Sequence, residues 1–207
     1  MRGILVVNPK GGSGKTTVAT NLAAGLAQGD ERVLLWDIDR QKSSLTWLSI
    51  RPQHLSRIAR LDGAGEEAGG DENDRSWVVV DTPAGLHGKN LEHALRLAEK
   101  VVIPVAPSMF DMAATRDFLD SLLREKLVRK QRLEVAVVGV RVDPRTRAAH
   151  TLEAFLSQYE LPILGYLRDT VLYANVAFSG QSVFDLPRYL SERDLEQWQP
   201  ILEWVRS

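Results

Sequence analysis

The run Lys10-Gly11-Gly12-Ser13-Gly14-Lys15-Thr16-Thr17 brings glycines, lysines and hydroxyls into one short loop. Glycines free the backbone to aim successive N–H groups at one anion. A lysine and a threonine at the loop's end add a cation for phosphate oxygens and a hydroxyl for a magnesium ion. Counted from Pro9, the spacing is that of a phosphate-binding loop ending in Gly-Lys-Thr, with proline where glycine is usual. Lys15 is therefore expected to reach β- and γ-phosphates, and the Thr16 hydroxyl to coordinate Mg²⁺. Two further carboxylate signals follow. Asp37-Ile38-Asp39 places two carboxylates on one side of a strand end, where they can hold metal-bound waters or orient an attacking one. Val78-Val79-Val80-Asp81 ends an apolar run on a carboxylate, the pattern that sets Asp81 beside the same Mg²⁺.

These residues need a scaffold that gathers strand ends. Apolar runs at 3–8, 32–38, 77–80, 101–105, 135–140 and 163–167 read as six buried strands. Helical patterns fall between them at 16–28, 43–50, 91–97, 112–129 and 148–159. A last helix over 190–205 is expected to be interrupted at Pro200. Such alternation predicts a single α/β domain over residues 1–207, a mostly parallel twisted sheet with helices on both faces. Ligands of these sheets bind beyond the carboxyl ends of the strands, where all three motifs lie. The stretch 62–75, rich in Gly, Glu and Asp, reads as a surface loop.

Composition narrows the function. A net charge of −1 leaves no whole-molecule attraction to nucleic acid or anionic membrane, so any such binding needs a local patch. The absence of cysteine excludes disulfides, thiolate zinc sites and cysteine-ligated clusters, and suits a cytoplasmic protein. The apolar run Ile4–Val7 is too short for a secretory leader.

The extra lysine at position 10 marks the deviant form of the Walker A loop, and with it the chain resembles the ParA/MinD family of P-loop ATPases. Asp37-Ile38-Asp39-Arg40-Gln41, with arginine at the family's usual proline, and Asp81-Thr82-Pro83-Ala84-Gly85 support the likeness. So do Leu167-Arg168-Asp169 to Tyr173 and Gly180-Gln181-Ser182-Val183-Phe184, which extend it from residue 3 to about 187. The resemblance implies an ATP-dependent homodimer in which Lys10 crosses to the partner's phosphates. It also implies that Asp39 positions the hydrolytic water, that Asp37 supports the metal shell, and that 82–88 is a switch segment. The family often has Asn after the fifth strand near the base; here the chain reads Gly139-Val140-Arg141-Val142-Asp143-Pro144, leaving Arg141 or Asp143 to substitute.

Family members bind either nucleoid DNA or membrane when dimeric. The segment 194–206 is mildly acidic rather than basic, which disfavours a membrane-binding helix. Arg124, Lys126, Arg129, Lys130 and Arg132, followed one strand later by Arg141, Arg145 and Arg147, supply a local basic excess suited to non-specific DNA. Because the first strand begins at Gly3, the chain resembles the short ParA form without a preceding DNA-binding extension. The expectation is a nucleoid-associated switch with a ParB-like or other cargo adaptor. The alternatives are a metabolic P-loop enzyme with a small-molecule acceptor, and a MinD-like membrane-associated ATPase.

Overall fold

The computed structural model describes residues 1–62, 76–130 and 132–207. Residues 63–75 of the expected surface loop lie outside them. Among the described residues seven strands form one sheet: β1 (Arg2–Val6), β2 (Arg32–Asp37), β3 (Ala59–Arg60), β4 (Ser76–Asp81), β5 (Lys100–Val105), β6 (Glu134–Val142) and β7 (Ile163–Arg168). Their order is β3-β2-β4-β1-β5-β6-β7, and every neighbouring pair is parallel. The six expected strands are all present. The seventh, β3, is a two-residue edge strand beside Leu34 and Leu35, too short to leave an apolar run in the sequence.

Among the described residues six α-helices lie between strands, α1 (Lys15–Leu26), α2 (Ser43–Ser49), α3 (Gly88–Leu95), α4 (Met109–Leu122), α5 (Lys126–Arg129) and α6 (Arg147–Leu156), and two follow β7, α7 (Leu172–Ala177) and α8 (Arg188–Arg206). Alternation along each strand sorts the core into two layers. Ile4 and Val6 join Val18, Leu22, Trp198 and Ile201 on one face, while Leu5 and Val7 join Leu91, Leu119 and Leu152 on the other. Helices therefore cover both faces, as the near-continuous apolar strands require.

Two helical expectations need correction, and one helix was not expected. The single helix over 112–129 is two, because the chain turns between Leu122 and Lys126. The six-residue α7 has no long periodic pattern to announce it. The last helix is not interrupted: α8 continues through Pro200. Pro200 is exposed, so the carbonyl left without its partner faces water, while Trp198, Ile201 and Val205 are fully buried and hold the helix to the sheet.

Candidate nucleotide-binding site

The phosphate loop leaves the carboxyl end of β1, next to the ends of β4 and β5. Asn8 fixes its entry. This buried amide donates to the Pro104 carbonyl at 2.8 Å and to Thr115 Oγ1 at 3.1 Å, and its Oδ1 accepts the Lys10 N–H at 2.9 Å. Gly12 and Gly14 have φ of 76° and 85°, in the left-handed region where a side chain is strained. Gly14 caps α1, whose free N–H groups and dipole face the loop's cavity.

That cavity, about 450 Å³, is lined by Gly11, Gly12, Ser13, Gly14, Lys15, Thr16 and Thr17, joined by Asp39, Gln41, Ser43, Thr82, Pro83, Ala84 and Arg141. The loop, Asp39 and the segment after Asp81 thus converge on one space. A larger cavity of about 720 Å³ lies by α2 and β3, against Leu48, Arg51, Arg57 and Arg60, and no motif residue lines it.

Lys15 is buried, with its ammonium donating to the Lys10 carbonyl at 2.9 Å. Burial lowers its pKa, while the charges of Asp81 and Asp39 pull the other way. A desolvated cation at the N-terminus of a helix is matched by a multiply charged anion. Asp81 presents the opposite case. Its Oδ1 is buried without a hydrogen-bond partner among the described residues. Burial pushes its carboxyl up to about 7, with the nearby Thr16 and Ser44 hydroxyls acting the other way. A hard divalent cation fits this carboxylate–hydroxyl pair and would satisfy the orphaned oxygen.

The two carboxylates at the end of β2 part company. Asp39 lines the cavity and is half-buried. Asp37 is buried and does not line it. Its Oδ2 accepts from Ser44 N at 3.0 Å and Ser44 Oγ at 2.8 Å, and its Oδ1 from Asp39 N at 2.9 Å. Asp37 therefore anchors the start of α2.

The base-side candidates separate too. A slot of about 180 Å³ beside the phosphate cavity is lined by Gly14, Thr17, Val140, Arg141, Asp169 and Tyr173, among others. Arg141 borders both spaces, its backbone turned into the left-handed region at φ 55°. Asp143 borders neither. Its carboxylate is held at the surface by Arg145, with contacts of 2.9 and 2.8 Å that depress its pKa to about 2.

The basic residues do not form one patch. Arg124, Lys126, Arg129, Lys130 and Arg132 are exposed and precede β6; Arg145 and Arg147 follow it. All strands being parallel, the first group lies at the end of the sheet away from the phosphate loop and the second at the loop's end. The nine residues of β6 separate them by about 26 Å.

The C-terminal signature also has a structural task. Gly180 sits at φ 66°, and a Cβ there would come within 2.6 Å of the Arg51 backbone. Gln181 O accepts the Trp47 indole N–H, Val183 N donates to Asn21 Oδ1, and Asp185 pairs with Arg51. These contacts hold α1 and α2, the helices that frame the phosphate cavity, to the C-terminal part of the chain. Asn8, Asn21 and Ser44 are thus site-supporting residues that no motif announced.

Comparison with known proteins agrees with this geometry. A protein from Gloeobacter kilaueensis named Maintenance of carboxysome distribution protein A is 34% identical over 178 residues, 77% of this chain and 78% of its own. The chromosome-partitioning ATPase Soj of Thermus thermophilus is 32% identical over 190 residues, 75% and 76% of the two chains. Among solved structures, a plasmid partition protein from Borrelia burgdorferi bound to AMPPNP superposes with a TM-score of 0.71 over 98% of both chains at 18% identity, a likeness of fold. The CobQ/CobB/MinD/ParA nucleotide-binding domain model matches residues 4–183. The chain belongs to this family, among its ParA/MinD-type positioning ATPases.

Proposed function

We propose that the protein is an ATP-dependent dimerising switch that binds DNA without sequence preference and positions or segregates a cargo, hydrolysing ATP slowly until an adaptor protein stimulates it. The observation that carries this reading is the convergence of Lys15, Thr16, Asp39 and the segment after Asp81 on one phosphate-sized cavity, with Lys10 beside it. The names of its relatives, one maintaining carboxysome distribution and one partitioning chromosomes, support the positioning role.

In this reading the N–H groups of Gly11 to Thr17 and the start of α1 hold the triphosphate, and Lys15 neutralises it. Thr16 and Asp81 hold Mg²⁺, which when bound offsets charge on the transferring phosphoryl group. Asp39 orients the attacking water, and Lys10 of each protomer supports the phosphates of the other. Arg141 orients the base and ribose from the adjoining slot, a role for which Asp143 is misplaced. Ordering of 82–88 around the γ-phosphate couples nucleotide state to association.

DNA contact uses the exposed cluster Arg124–Arg132, with Arg145 and Arg147 as a separate, smaller set. Dimerisation brings two copies of each set onto one particle and raises avidity. Membrane binding through the last helix is disfavoured, because the apolar side of α8 is spent on the core. No helix among the described residues is long and apolar enough to cross a membrane.

The test is DNA retention measured with ADP, ATP and a non-hydrolysable ATP analogue. Retention confined to ATP and the analogue is expected. Equal retention in all three states, or rapid adaptor-free turnover with a small-molecule acceptor, contradicts the switch.

A further inference from the structure

We infer that Asp111 is a positioning residue that holds Lys10 on its own protomer and so sets the threshold for nucleotide-dependent association; this rests on the reading that Lys10 acts on the partner's phosphates. Lys10 Nζ lies 2.6 Å from Asp111 Oδ2. Asp111 is buried in the first turn of α4. The lysine's backbone is tied to the same region: its N–H binds Asn8, and Asn8 in turn binds Pro104 at the end of β5 and Thr115 on α4. Both ends of Lys10 are thus fastened to the β5–α4 junction, one hundred residues away in sequence.

A lysine held this way cannot act in trans until it exchanges one anion for another. The exchange is feasible from the carboxylate's side, because the N-terminal dipole of α4 continues to stabilise Asp111 after the ammonium leaves. From the lysine's side, the gain depends on the phosphate charge it meets. A triphosphate presents more negative charge than a diphosphate at the end reached by a second subunit. The Asp111 contact therefore acts as a bias that ADP does not overcome and ATP does, converting one phosphate into a difference in association. Beside the latch, Met109 and Phe110 are each 70% exposed, with the Phe110 ring centroid 5.9 Å from Lys10 Nζ. They give a second copy of the chain an apolar contact at the point where Lys10 must be released.

The experiment is sedimentation velocity over a concentration series with Mg²⁺ and either ADP or a non-hydrolysable ATP analogue, on the wild type, Asp111→Asn, Asp111→Glu, Asp111→Ser and Lys10→Ala. Asp111→Asn should tighten the analogue-bound dimer by up to about 25-fold, roughly fivefold for each of the two partly exposed ion pairs a dimer releases, and make association with ADP measurable. Asp111→Glu should stay near wild type, and Asp111→Ser, which also lacks the carboxylate, should follow Asp111→Asn. An unchanged or weaker dimer in both neutral variants, with thermal melts like wild type, overturns the latch. If the wild type stays monomeric with the analogue, or Lys10→Ala dimerises as well as wild type, the trans role of Lys10 itself has failed, and the latch with it.

Discussion

Replacing Arg51 by methionine removes the cation that fastens α2 to the C-terminal signature. The pair is bidentate, with Arg51 Nη1 and Nη2 each 2.9 Å from an Asp185 oxygen. The two side chains are only 5% and 1% exposed. Arg51 also donates to the carbonyls of Gly180 and Ser56 and lies over the Trp47 ring. Removing one member of a buried pair costs about 3–5 kcal/mol, because the other charge is left uncompensated. Asp185 keeps two bonds of 2.7 Å from Ser182, which places the expected loss toward the lower end. For a domain of this size that is a fall in Tm of roughly 6–12 °C. The pH dependence follows from the sign of the carboxyl shift. Burial raises the Asp185 pKa, but the hydrogen bonds and charge of Arg51 and the Ser182 bonds outweigh it, and the net shift is downward. A carboxyl lowered in the folded state contributes stability at neutral pH that is lost as pH falls through its folded value. In Arg51→Met that contribution is absent, so the deficit against wild type is largest near neutrality and narrows below about pH 4. Thermal unfolding followed by circular dichroism at neutral and acid pH reads both effects. A Tm loss under about 3 °C at neutral pH, or a deficit that widens in acid, refutes the clamp.

Lys15→Ala should lower nucleotide affinity by at least about a hundredfold, the value of two charge-assisted contacts, in titration calorimetry; retained affinity contradicts the loop assignment. Asp39→Ala should slow hydrolysis by about 10² or more while leaving an ATP-bound dimer intact, and a variant that stays monomeric with ATP in light scattering counts against the water-positioning role. Neutralising Arg124, Lys126, Arg129 and Lys130 together should reduce the salt slope of DNA retention by up to about seven for the dimer, which carries the four charges twice, and spare hydrolysis. Neutralising Arg145 and Arg147 should do less, since Arg145 is already paired with Asp143. An unchanged slope in the first variant places the DNA surface elsewhere.

What the sequence disclosed was local. The loop from Lys10 to Thr17 is contiguous, and the apolar runs before Asp37 and Asp81 mark strand ends without any tertiary information. The layered fold follows from the same runs, because strands buried on both faces demand helices on both sides. Pairings across the strand order were hidden. Asn8 meets Thr115, Lys10 meets Asp111, Asn21 meets Val183 and Arg51 meets Asp185, each across a separation that only the sheet closes. Asp37 and Asp39 share strand parity, yet Ser44 claims Asp37 for the start of α2. Arg141 and Asp143 are two residues apart, but the left-handed turn at Arg141 leaves only the arginine at the cavity. The basic residues near 124–132 and 145–147 look adjacent in sequence; the length of β6 between them puts them at opposite ends of the sheet.

The proposed switch requires nucleotide state to control association through this site. Multi-angle light scattering of the wild type and Lys10→Ala with Mg²⁺ and either ADP or a non-hydrolysable ATP analogue tests it most directly. The expected masses are a dimer for the wild type with the analogue, a monomer with ADP, and a monomer for Lys10→Ala in both. The same mass for the wild type in the two nucleotide states would contradict it.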